Sequence, residues 1–224
     1  MPVPVVAAPY PTLRLERKCW SAGERVVVGI DEVGRGAWAG PVTVAAVVSA
    51  PDHLKGVRDS KMLTPEEREK AAAKVRSWAL AIGVGHASHE ECDTLGMTAA
   101  LRAAGHRALA QLACRGVEPD RVILDGNYDY LGLGARVTTV IKGDTSCLAV
   151  AAASVVAKVT RDGMMAEEAE HFPAYDFDSN RGYPAPVHKM ALAAYGPTAI
   201  HRRSWIFMEN LCWRGLPPAP GRLF

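Results

Sequence analysis

Apolar positions in this chain fall in short dense runs, punctuated by Gly, Pro and acidic residues. "RVVVGID" (25–31) and "PVTVAAVVS" (41–49) are β-branched and bounded by Gly or Pro, which predicts a buried strand followed through a Gly-rich turn by its neighbour. The first of these strands ends at Asp31. Thr64-Pro65-Glu66-Glu67 is a capping box with Pro at the first helical position, so a helix is expected over 65–78, before a strand near "WALAIGVG". Ser88 and Glu91 repeat that spacing, and an Ala/Leu/Arg-rich helix then runs to about residue 114. "RGVEPD" breaks it ahead of "RVILD" (121–125), a second strand that ends on an aspartate. A strand-like "ARVTTVIK" (135–142) follows, then a turn carrying Asp144, then a long helix-forming segment from about Ser146.

This succession predicts an α/β or α+β domain with an antiparallel element between consecutive strands and helices on the sheet faces, so that acids at strand ends converge on one rim. The Pro-rich opening, 1–24, is expected to be a weakly ordered extension, 25–211 the folded unit and 212–224 a tail.

Composition narrows the class. With 224 residues, 49% hydrophobic and 22% charged, the chain has the profile of one soluble globular domain. Lys and Arg total 26 against 24 Asp and Glu, a net charge of +2, so any basic surface is local. Five scattered cysteines without C-x-x-C pairing argue against a disulfide framework or a zinc site. No apolar run approaches a membrane span, and the first positive charges follow the apolar stretch instead of preceding it, so a cytoplasmic protein is expected.

The chemistry concentrates at strand exits. Asp31, Glu32, Asp125 and Asp144 offer four carboxylates there, and hard divalent ions such as Mg²⁺ or Mn²⁺ prefer oxygen ligands. Two such ions can activate water and stabilise the leaving oxygen of a phosphodiester, whereas a single strand-end Asp is more often a turn residue or a cap. "GRGAWAG" (34–40) sets three glycines around Arg35 and Trp38, allowing a close backbone approach to a sugar 2′-hydroxyl. Arg58, Lys61, Lys142, Lys158, Arg161 and Arg181 recur near these segments as candidate phosphate contacts, and Tyr183 lies in a Gly/Pro loop that suits stacking. His188 and His201 fit structural or phosphate-contact roles better than acid–base catalysis, and Ser154 reads as a packed helical residue.

Taken in order, "GIDEVGRGAWAGPV", "DSKMLTPEERE", "LDGNY", "IKGDTSCLAVAAASVVAKVTRD", "RGYPAPVH" and "YGPTAIHRRSW" resemble the ribonuclease HII family over about 26–205. The resemblance implies a ribonuclease-H-like mixed sheet flanked by helices, with a C-terminal helical portion beside the cleft. It implies that Asp31, Glu32, Asp125 and Asp144 are metal-binding catalytic carboxylates, with Mg²⁺ or Mn²⁺ as the cofactor and two ions engaged during catalysis. It further implies that Gly34, Arg35 and Gly36 read the ribonucleotide 2′-hydroxyl, that Tyr183 stacks on the following sugar and that Lys61 lies near substrate phosphate. The substrate implied is an RNA/DNA hybrid or a ribonucleotide-containing duplex, cut to a 3′-hydroxyl and a 5′-phosphate, by a monomer without organic cofactor. Two positions depart from the family pattern: Gly96 in "LGMTAAL" (95–101) stands where a substrate-contacting Asn is common, and Trp38 stands in place of a Pro-Leu pair. The first 24 residues are too short for the extra domain of ribonuclease HIII, which favours HII. The terminal Leu223-Phe224 on its Pro-rich leash loosely resembles a sliding-clamp-binding peptide. The alternatives are a DNA nuclease of the same superfamily and a hybrid-binding module without catalysis.

Overall fold

The computed structural model describes residues 10–210. Its sheet is organised on β1 (Val27–Val33), which is central because it is apolar on both faces: Val27, Val28 and Ile30 are fully buried. β1 pairs antiparallel with β2 (Val42–Val48), and β2 pairs antiparallel with β3 (Ala81–Ala87). On its other side β1 pairs parallel with β4 (Arg121–Asp125), which pairs parallel with β5 (Val137–Val140), giving the order β3-β2-β1-β4-β5. The mixed sheet expected from the strand order is therefore present.

Strand alternation divides the core. Val28, Ile30, Val44 and Ala46 face helix α4 (Met97–Ala113), where they meet Leu101, Ala104, Ala108 and Leu112. The opposite face, with Ala45 and Val47, is covered by α2 (Pro65–Trp78) and the 24-residue α6 (Leu148–His171). α6 lies directly on β1 because position 29 is glycine: a Cβ there would stand 2.2 Å from the Ala149 carbonyl carbon. Both predicted capping boxes form, at the starts of α2 and of α3 (His89–Leu95). Beyond α6, α7 (Phe177–Asn180), α8 (Pro186–Tyr195) and a 3₁₀ segment, Ile206–Asn210, build the C-terminal helical portion around Phe177, Leu192 and Phe207.

Three expectations are corrected. The opening segment is not a loose extension as far as residue 24: α1 (Arg14–Ser21) is helical, and Leu13 and Glu16 are buried. Its order is tertiary in origin. Thr12 bridges to Cys147, and the Glu16 carboxylate accepts the Ala149 N–H at 2.8 Å and the Cys147 thiol at 3.2 Å. The strand expected over 135–142 shrinks to β5, because Gly134–Arg136 forms a 3₁₀ turn and Lys142 turns left-handed at φ 56°. The long helix does not begin at Ser146. α5 (Gly143–Ser146) ends at an extended Cys147, and α6 starts after it. The expected tail, 212–224, and Cys212 lie outside the described residues. Among those residues no helix is long and apolar enough to cross a membrane.

Candidate active site

Parallel pairing of β1 and β4 places Ile30 opposite Leu124, so Asp31, inside β1, lies beside Asp125, the last residue of β4; the first strand does not end at Asp31 as expected but runs two residues further, because Asp31, Glu32 and Val33 still pair with β2. Asp31, buried, accepts the Glu32 N–H at 2.8 Å and shares the cleft lining with Ser154 of α6. Asp125 accepts the Gly143 N–H at 2.7 Å, which anchors the start of α5 and brings Asp144, the next residue, to the same rim.

The four carboxylates are electrostatically coupled. Burial, then the charges of Glu32 and Asp125, push the Asp31 carboxyl well above its usual range. Burial raises Glu32, against Arg35, which lowers it; burial raises Asp144, with Asp59 and Asp125 adding to the effect. Cations relieve part of this repulsion: Lys61 Nζ is 3.5 Å from Asp144 and an Arg35 guanidinium nitrogen is 3.8 Å from Glu32. Partial desolvation beside the acids opposes the Lys61 charge, yet Asp59, Asp144 and Asp31 hold its pKa above the ordinary value. The Tyr130 hydroxyl is buried without a partner beneath these acids, and burial followed by the charges of Glu32, Asp31 and Asp125 drives it well upward.

Among the described residues no three His, Cys, Asp or Glu side chains close into a ready-made metal cage. The donor set nevertheless fits a hard divalent cation. It is all oxygen, strongly negative and destabilised by its own repulsion, and Mg²⁺ commonly uses one or two carboxylates and completes its shell with water and phosphate.

Beside the acids lies a cleft of ≈ 430 Å³ whose lining includes Asp31, Glu32, Gly34, Arg35, Gly36, Lys61 and Tyr183. Seven of the nine site residues expected from the sequence thus share one cleft; Asp125 and Asp144 adjoin it through their coupling to these acids. Gly34 sits at φ 86°, and a Cβ there would meet the Arg161 side chain at 2.2 Å, so the turn accepts only glycine. Its N–H donates to the Tyr183 hydroxyl at 3.1 Å.

Some of the remaining candidates take roles other than those expected, while the histidines take the structural role expected of them. Arg161 is not a phosphate contact; it is fully buried and donates to the Pro41, Ala39 and Arg181 carbonyls. Lys158 and Arg181 are engaged by Asp162, which also holds Arg68. Ser154 is packed as expected but also lines the cleft, bonded to Ser60 at 3.0 Å. His188 and His201 form a buried pair, their Nε2 atoms 2.9 Å apart, with His188 Nδ1 bonded to the Tyr183 carbonyl. Trp38 stacks on Phe207 at 4.1 Å, tying the Gly-rich loop to the C-terminal portion. Gly96 is the joint between α3 and α4, at φ 76° and ψ 158°. The buried Arg202 was missed by sequence reasoning, since nothing local marks an arginine for burial.

The profile of the Ribonuclease HII family matches residues 28–208, nearly the whole described chain. The chain belongs to the ribonuclease HII family. Curated ribonuclease HII relatives include that of Streptomyces avermitilis, 54% identical over 93% of this chain and 90% of the relative. That of Streptomyces coelicolor is 52% identical over 93% and 90%, and that of Cereibacter sphaeroides strain KD131 is 42% identical over 92% and 95%. Among solved structures, ribonuclease H2 of Pyrococcus horikoshii OT3 superposes with a TM-score of 0.67 at 28% identity, covering 83% of this chain and 96% of that one. RNase HII of Archaeoglobus fulgidus, solved in complex with PCNA, gives 0.66 at 28% identity over 81% and 95%. The mixed sheet flanked by helices is thus the ribonuclease-H fold. Membership of the ribonuclease HII family makes this chain a metal-dependent ribonuclease, a hydrolase that cuts the RNA of RNA/DNA hybrids endonucleolytically.

Proposed function

We propose that this ribonuclease cuts 5′ of single ribonucleotides embedded in duplex DNA as well as within longer hybrids, leaving a 3′-hydroxyl and a 5′-phosphate, in ribonucleotide and RNA-primer removal. The observation that supports this reading is the meeting of the Gly34–Tyr183 hydrogen bond with the Asp31–Glu32 acids in one cleft. A turn able to approach a ribose through its backbone adjoins a rim able to hold divalent cations.

In this reading Asp31, Glu32, Asp125 and Asp144 hold two Mg²⁺ or Mn²⁺ ions. Bound there, the ions supply an activated water and neutralise charge on the leaving oxygen. The remaining roles belong to the chain. Gly34, Arg35 and Gly36 orient the sugar, the Tyr183 ring packs against the following sugar, and Lys61 moves between Asp144 and a substrate phosphate. The enzyme acts as a monomer in the cytoplasm. The PCNA complex of the Archaeoglobus relative supports a further proposal, that Leu223-Phe224 contacts a sliding clamp; those residues lie outside the described chain.

The test is cleavage of a labelled DNA duplex with one internal ribonucleotide, beside an all-DNA duplex and an RNA/DNA hybrid, with Mg²⁺, Mn²⁺ or chelator. Metal-dependent scission immediately 5′ of the ribonucleotide is expected. Cutting of the hybrid alone would refute the single-ribonucleotide activity, and cutting of all-DNA duplex would favour a DNA nuclease.

A further inference from the structure

We infer that Arg202 is a positioning residue for ribose recognition, setting the peptide units of residues 34–36 so that their N–H groups face the cleft as hydrogen-bond donors to the sugar. The inference rests on the ribonucleotide reading above.

A turn with glycines at 34, 36 and 40 has little conformational preference of its own, so something outside it must select one shape. Arg202 is fully buried and does so with a single planar group. Its Nη2 donates to the Gly34 carbonyl at 2.7 Å and to the Gly40 carbonyl at 3.1 Å, its Nη1 to the Arg35 carbonyl at 3.1 Å, and its Nε to the Gly40 carbonyl at 3.2 Å. Both ends of the turn are gathered onto one guanidinium, whose fork geometry leaves little latitude. The backbone agrees: Arg202 N–H donates to the Trp38 carbonyl, and Ala39 bridges to His201.

The direction of these bonds matters more than their number. In a trans peptide the C=O and the following N–H point opposite ways. With the Gly34 and Arg35 carbonyls turned inward onto Arg202, the N–H groups of Arg35 and Gly36 turn outward, and among the described residues neither donates to another protein group. A cation on each carbonyl also polarises the peptide, strengthening the N–H as a donor. The turn therefore recognises a sugar oxygen as an acceptor. Arg202 has no carboxylate partner among the described ion pairs, so its buried charge is compensated by these carbonyl dipoles and by the Trp205 ring at 5.1 Å.

The experiment compares Arg202→Lys with the unaltered enzyme on duplexes carrying 2′-hydroxyl or 2′-fluoro at the scissile ribose, since fluorine is a poor acceptor. Loss of the fork should lower kcat on the hydroxyl substrate at least tenfold with little change in KM. The fluoro substrate should change less than twofold, so the hydroxyl/fluoro ratio of kcat/KM collapses. Equal losses on both substrates, or an unchanged ratio, would overturn the inference. If Arg202→Lys does not fold, Asp93→Ala takes its place. It releases the Arg203 and Ser204 N–H groups, held at 2.6 and 3.1 Å, without touching the guanidinium, and a threefold fall in the ratio is expected. An unchanged ratio in that variant overturns the inference equally. Failure of the unaltered enzyme to cut the hydroxyl substrate would instead refute the ribonucleotide reading itself.

Discussion

Tyr183 and Gly34, 149 residues apart in sequence, are joined by a hydrogen bond in which the glycine N–H donates to the phenolic oxygen. The Tyr183 ring is also flanked by the Arg161 guanidinium at 5.5 Å and the Lys158 ammonium at 5.9 Å from its centroid. The ring is therefore held by the same turn it adjoins, so the stacking and sugar-reading roles proposed for them are mechanically linked.

Tyr183→Phe keeps the ring and strands the Gly34 donor. Leaving a buried donor unpaired costs about 1–3 kcal/mol, which corresponds to a loss of roughly tenfold in kcat/KM on a single-ribonucleotide duplex. Steady-state kinetics check this; a Phe variant with full activity would show that the hydroxyl contributes nothing.

Asp31→Asn should separate stability from activity. Removing a desolvated charge beside Glu32 and Asp125 is expected to stabilise the metal-free protein by on the order of 1 kcal/mol. Activity should fall roughly a hundredfold or more, because a proposed metal ligand is lost. Thermal melts with and without Mn²⁺ provide the check: the unaltered protein should gain in melting temperature with the ion, and the variant should gain much less.

Lys61→Met tests a different balance. The Lys61 side chain is 79% exposed and its partner Asp144 only 8%, so the pair contributes little to stability, about 0–1 kcal/mol. The expected effect is on substrate: KM rises severalfold, and the slope of log affinity against log salt weakens by about one charge. Titrations at three salt concentrations measure it.

Acid should loosen the C-terminal portion through the histidine pair. Burial, then His188 and Arg203, lower His201 from 6.5 to about 3, and burial lowers His188 as well. Both rings are neutral in the fold, and the unfolded chain binds the extra protons. Their stabilisation is complete above about pH 6.5 and is lost progressively as the pH falls toward 3. Urea midpoints measured at pH 7 and pH 5 should differ in that direction, and the difference should shrink in His201→Gln.

Much of this was legible in the sequence where the signal is local. The capping boxes at Thr64 and Ser88 announce their helices because the bonds that cap them span three residues. Asp125 is visible as a strand end and Asp31 as the first acid of an apolar strand, although that strand continues to Val33; their adjacency follows once β1 and β4 pair in parallel. The misreadings have nonlocal causes. α1 looks weak by itself and is ordered by Glu16 reaching Ala149, a partner 133 residues away. β5 is cut short by the left-handed Lys142, a conformation no side chain there advertises. Arg161 and Arg202 resemble any other basic residues until the carbonyls that surround them are known.

The route of the Gly-rich turn has a consequence for biosynthesis. β1 delivers Asp31 early in the chain, but the turn that follows takes its shape from Gly182 and from residues 200–202, all of which are synthesised after the four acids. A nascent chain that already carries all four acids therefore still lacks a shaped ribose turn.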